Sequence, residues 1–173
     1  MRNLRRQTGS GSWVESFASL FGGKGGLPTA QTVLVPLVGS SLDESALKVA
    51  GEVARESSGR VHVLYIIEVP RAVPLDAPMD EQVRNGERIL KDIEDHWPHK
   101  KTSVATELLQ ARQAGPAIVT EAVERGADLV IMGIDHERRY GDYSLGSSTA
   151  HVLQHVPSAL WILRAPINQN GAR

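Results

Sequence analysis

Between Thr32 and Arg164 the chain alternates short aliphatic and β-branched runs with longer stretches of helical period, and this alternation constrains the fold more than any other feature. TVLVPLV (32–38) is a strand stopped at Gly39. In SSLDESALKVAGEVARESSG (40–59), Ala46, Leu47, Ala50, Val53 and Ala54 recur at helical spacing. RVHVLYIIEV (60–69) is a second strand, and the proline-rich PRAVPLDAPMD (70–80) is a loop. EQVRNGERILKDIEDHW (81–97) then predicts a helix, TSVATELLQA (102–111) a strand, GPAIVTEAVERG (115–126) a helix and ADLVIMG (127–133) a strand. STAHVLQHV (148–156) is a last helix and SALWILRA (158–165) a last strand. Strands that read as continuous apolar runs are buried on both faces. The expected fold is therefore α/β, a doubly wound, mostly parallel five-stranded sheet with right-handed crossovers. In such sheets ligands sit beyond the carboxyl ends of the strands, so the loops that follow the strands are the place to look for a site.

Composition narrows the function classes. The 173 residues, 41% hydrophobic and 23% charged, suit one globular core, and a net charge of −1 supplies no cationic field for nucleic acid. With no cysteine there are no disulfides, thiolate nucleophiles or thiolate metal sites. No apolar run reaches the roughly 20 residues of a membrane span, and no secretory signal opens the chain, so a cytoplasmic protein is expected.

Residues 1–31 differ from the rest. Arg2, Arg5, Arg6 and Lys24 face only Glu15, which makes this segment basic and the remainder acidic. Between the glycine-rich TGSGS and GGKGG, Trp13, Val14, Phe17, Leu20 and Phe21 repeat at helical spacing. Three fates are open to this segment: folding back on its own domain or a dimer mate, docking on a membrane surface or partner, or disorder. Residues 167–173 read as a tail.

MGIDHERRYGDYSLGSST (132–149) is the stretch richest in site chemistry. Ser147, Ser148 and Thr149 at a helix start offer hydroxyls and N–H groups to an anion, and Gly133 and Gly146 permit close backbone approach. Capping without a ligand is the alternative for Gly146, Ser147 and Ser148. Arg138 and Arg139 suit bidentate phosphate binding, against the plainer reading of a solvated face. Asp135, His136 and Glu137 are adjacent and diverge, which argues against a metal site. His151 and His155 share a helix face but lack the glutamate and third ligand of a zinc hydrolase, so they read as partly buried or capping histidines.

VPLVGS, the pair GADLVIMG and LGSS, and the closing VPSALWILRAP together resemble the universal stress protein family over residues 32–166. The resemblance implies strand order 3-2-1-4-5, a Rossmann-like sheet, and in some members an adenine nucleotide, ATP or AMP, between strands 1 and 4. The family's signature Gly-x2-Gly-x9-Gly-Ser/Thr maps onto Gly133, His136, Gly146 and Ser147, so a histidine replaces the second glycine. Nucleotide-binding members carry an aspartate where this chain has Val38, and Pro36 matches as a turn-shaping residue. The resemblance and the loop chemistry together give the candidate ligand-binding set Pro36, Val38, Gly39, Met132, Gly133, His136, Arg138, Arg139, Gly146, Ser147 and Ser148. LYIIEVPRAVPLDAPMDE, QAGPAIVTEAVERGADLVIMG and YGDYSLGSS are also similar to universal stress domains at the cytoplasmic ends of bacterial transporters. That likeness gives residues 1–31 a membrane transporter or membrane surface as partner.

Two function classes stay open. One is a sensor or regulator that binds an adenine nucleotide; the other is a dimeric scaffold or interaction module with an empty cleft. Gly133, Gly146 and Ser147 favour the first, Val38 and His136 the second. A slow nucleotide hydrolase is a third class, for which no positioned general base is legible. In either leading class the last strand, with Ala159, Leu160, Trp161, Ile162 and Leu163, is an apolar edge expected to pair with a second copy of the chain.

Overall fold

Thr32, Val33 and Val35 are β-branched and stiff at χ1, which favours extended backbone, and they open β1 (Thr32–Leu37), the middle strand of the sheet. The computed structural model describes residues 30–135 and 145–165, with the backbone pairing of residues 138–139 and 142–143. The amphipathic segment around Trp13 and Phe17 and the tail lie outside the described residues, as does His136. β1 pairs in parallel with β2 (Arg60–Glu68) on one side and β4 (Leu129–Ile134) on the other. β3 (Ser103–Ala111) extends the sheet beyond β2, and β7 (Ala159–Arg164) extends it beyond β4. The order β3-β2-β1-β4-β7 is the expected 3-2-1-4-5 once the main-sheet strands are counted alone.

Successive side chains of a strand point to opposite faces, and both faces are covered. Val33, Val35, Val61, Val63, Leu129 and Ile131 pack against α1 (Asp43–Ser57) and α2 (Asp80–Asp95). Leu34, Leu64, Val130 and Met132 pack against α3 (Ala114–Glu124) and α4 (Ser147–His155). The direction of winding reverses between β1 and β4.

Three details depart from the pattern read in the sequence. α2 stops at Asp95 rather than Trp97, because Pro98 disfavours helical backbone in the residue before it; the Trp97 indole then donates to the Thr102 hydroxyl at 3.2 Å. The stretch after β4 is not a plain loop, since β5 (Arg138–Arg139) and β6 (Asp142–Tyr143) pair antiparallel. The folded unit also takes in two residues ahead of Thr32: Ala30 is buried and its carbonyl accepts from the Ser57 hydroxyl at 2.6 Å, while the Gln31 carbonyl accepts from the Arg60 amide at 2.8 Å. Among the described residues no helix is long and apolar enough to cross a membrane.

Candidate functional site

A cleft of about 890 Å³ opens at the carboxyl end of the sheet, lined from β1, β2, α1, α2 and the first turn of α4. Its apolar floor is formed by Leu37, Leu47 and Ile66. Val38 stands at the rim, 39% exposed, beside Gly39.

The β1–α1 turn that carries these two residues is tied down twice. The Gly39 amide donates to Asp43 Oδ2 at 2.9 Å. Ser41 donates to Asp135 at the end of β4, through its amide at 3.1 Å and its hydroxyl at 2.6 Å. Gly133 completes this junction. A Cβ placed on it would stand 2.8 Å from the Leu42 carbonyl carbon and 3.0 Å from the carbonyl oxygen. The first glycine of the signature is thus filled by the protein's own chain, and the space its missing side chain leaves goes to Leu42 rather than to open cleft.

α4 begins differently. Its N-cap is Gly146 at φ 74°, a left-handed value that favours glycine. Gly146 thus holds the capping position of the alternative reading, with no side chain of its own to cap with, and Ser147 and Ser148 are the first two residues inside the helix. Both line the cleft, with Thr149 buried beneath them. The positive end of the helix dipole and the N–H groups of the first turn therefore meet the cleft, an arrangement suited to an anion.

Of the residues expected from the sequence, the cleft brings together Val38, Gly39, Gly146, Ser147 and Ser148. Pro36 is buried within β1, and Met132 is fully buried in the core under α3; neither lines the cleft. Gly133 lies at the neighbouring junction. Arg138 and Arg139 are paired through their backbone to Tyr143 and Asp142, and their side chains, like His136, lie outside the described residues. His151 and His155 stack with ring centroids 4.1 Å apart and His155 Nδ1 lies 2.8 Å from the His151 carbonyl, and no group of three metal-ligating side chains occurs among the described residues.

Sequence reasoning missed Asp43 and the α2 wall of Asn85, Arg88, Ile89, Asp92 and Ile93, and it weighed Asp135 only as a metal ligand, not as the partner of Ser41. An acid in the first turn of a helix reads as a partner of the dipole, which hid Asp43. Burial holds the Asp43 carboxyl above the ordinary carboxylate value, against the opposing pull of hydrogen bonds from the turn amides, Gly39 first. One of its oxygens, Oδ1, is buried with no hydrogen-bond partner among the described residues. Asp135 is held below the ordinary value by the Ser41 hydroxyl and amide.

These shifts act in opposite senses on stability. Asp43 retains its proton in the folded chain above the unfolded value of 3.8, so its contribution falls as pH rises through that value toward the raised one. Asp135 stabilises above the unfolded value, and that contribution is lost as pH falls through its lowered one. Asp43→Asn keeps an acceptor for Gly39 without the charge, and it should flatten the decline as pH rises above the unfolded value of 3.8. Urea midpoints that decline equally in both proteins would contradict this account.

Residues 29–164 match the universal stress protein family. Universal stress protein MJ0531 of Methanocaldococcus jannaschii is 24% identical over 140 residues, covering 78% of this chain and 82% of the relative. The universal stress protein of Archaeoglobus fulgidus in complex with dAMP aligns with TM-score 0.60 at 19% identity, over 76% of this chain and 96% of that one. A universal stress protein in complex with cAMP aligns with TM-score 0.56 at 22% identity, over 78% and 97%. A parallel sheet reversed between β1 and β4, with a matching sequence across the whole of it, leads to one conclusion: the chain belongs to the universal stress protein family.

Proposed function

We propose that this domain is a sensor or regulatory module that binds an adenine nucleotide in the cleft, with the phosphate on the first turn of α4 and the nucleoside over Leu37, Leu47 and Ile66. The observation that carries this reading is the start of α4, whose Ser147 and Ser148 line the cleft. The dAMP and cAMP complexes of its structural relatives support it. The role is binding rather than turnover. Isothermal titration with AMP, and mass spectrometry of small molecules released from the heat-denatured protein, test it. Absence of both binding and co-purified nucleotide would leave the second reading, a scaffold with an empty cleft, which the exposed Val38 favours.

The proposed partners are a second copy of the chain and a membrane surface or transporter. β7 ends the sheet, and no strand covers its outer edge among the described residues. The basic segment 1–31 suits an anionic surface. Light scattering and sedimentation with phosphatidylglycerol vesicles read both on the full chain and on one starting at Thr29, which keeps Ala30 and Gln31. Both chains should be dimers, and only the full one should bind vesicles, less so as salt rises. Equal sedimentation of the two chains at low salt would remove the membrane partner, and monomers would remove the dimer.

A further inference from the structure

The cleft has a second polar pole, far in sequence from α4. Arg88, on α2, is the one cation among the described residues that line it. Its guanidinium is aimed by a short relay: Arg88 donates to the Asn85 carboxamide oxygen at 3.0 Å, and Asn85 donates to the Tyr65 hydroxyl at 3.3 Å. Asp92 stands at the i,i+4 position where an ion pair with Arg88 is ordinarily made. It is turned instead to His96, at 3.1 Å, and Arg88 makes no ion pair among the described residues. A guanidinium carries five N–H donors in a fork that matches phosphate or carboxylate. Here the fork is oriented by its neighbours and held in no ion pair among the described residues, within a lining that also carries Asp43, Glu44, Glu68 and Asp92. Ile89 and Ile93 of the same helix add to the apolar floor, so this pole is continuous with the surface assigned above to the nucleoside. A volume of about 890 Å³ also lies toward the upper end of the roughly 300–1,000 Å³ of small-molecule sites.

We propose that the cleft takes a ligand with two separated anionic groups, one on the first turn of α4 and the other on Arg88, the adenine dinucleotide being the class that fits. This rests on the nucleotide-binding reading and deepens it. A mononucleotide fills the α4 pole alone, and the second nucleotide unit lies along α2 with its phosphate in the Arg88 fork. Asn85 and Tyr65 act as positioning residues for that fork.

Titration of AMP and of the linear 5′-phosphorylated adenine dinucleotide pApA into the full chain, Arg88→Ala and Arg88→Lys tests the proposal. The full chain should bind pApA at least about ten-fold more tightly than AMP, as expected for an added charge-assisted contact. Arg88→Ala should abolish that advantage and leave AMP affinity unchanged. Arg88→Lys should restore only part of it, because a point charge lacks the fork. Arg88 is exposed, so thermal melts of the variants should match the parent. Equal affinity for AMP and pApA in the full chain, or equal loss of both ligands in Arg88→Ala, would overturn the second pole while leaving the nucleotide reading standing. Failure of the full chain to bind either ligand would overturn both.

Discussion

Replacing Ser147 and Ser148 together with alanine should weaken AMP binding by about a hundred-fold or more while leaving the fold intact. Each hydroxyl that donates to a charged phosphate contributes about 1.5–3 kcal/mol, and each 1.4 kcal/mol is roughly ten-fold in affinity. The lower part of that range is expected, because the backbone N–H groups of the first turn stay in place and continue to bind the anion. Stability should not suffer. Neither serine caps the helix, and alanine is the better helix former at both positions. This separates a ligand role from a structural one: in a capping role the double variant would lose stability, by about 1 kcal/mol per cap. Calorimetry and a urea melt on the same preparation decide between them. Unchanged AMP affinity would place the phosphate elsewhere.

Leu34→Ala should give the largest loss of stability, about 2–5 kcal/mol. Leu34 is 1% exposed on the middle strand, where β1 pairs with both β2 and β4, and it packs into the core under α3. Neighbours bonded on both sides have little freedom to collapse into the space, so the cavity term adds to the lost transfer energy. Domains of this kind are stable by roughly 5–15 kcal/mol, and the variant should therefore lose a large share of its cooperative transition. Leu153→Ala is the control. That leucine is 54% exposed on α4, and its removal should stay within about 0.5 kcal/mol. Equal urea midpoints for the two variants would show that the packing at Leu34 is not what the strand order implies.

The alternation of strand and helix was legible because its signals are local. Val33 and Val35 alternate with Leu34 within one strand, Ala46, Ala50 and Val53 recur along one helix, and each period is complete within a dozen residues. The start of α4 was legible for the same reason, since a glycine followed by serines announces a helix start from neighbouring residues alone. Resemblance supplied the strand order, which periodicity does not contain. Gly133 was found, but its neighbour was not: the space its missing side chain leaves is taken by Leu42, brought there by the parallel pairing of β1 and β4.

What only the tertiary structure decided lies across such pairings. Ser41 and Asp135 are 94 residues apart, and the hydrogen bonds that join the two lips of the switch point exist because both strands end at the same side of the sheet. Asp43 looks like any first-turn acid until the β1–α1 turn folds over it and half-buries it. Arg88 and Asn85 sit on a helix face that reads as solvated, and nothing near them in the chain says that Tyr65 and an open cleft stand opposite. A residue's own period reports which face it turns inward; what that face meets depends on the packing of distant elements, and charge, burial and hydrogen bonding at a site are set there.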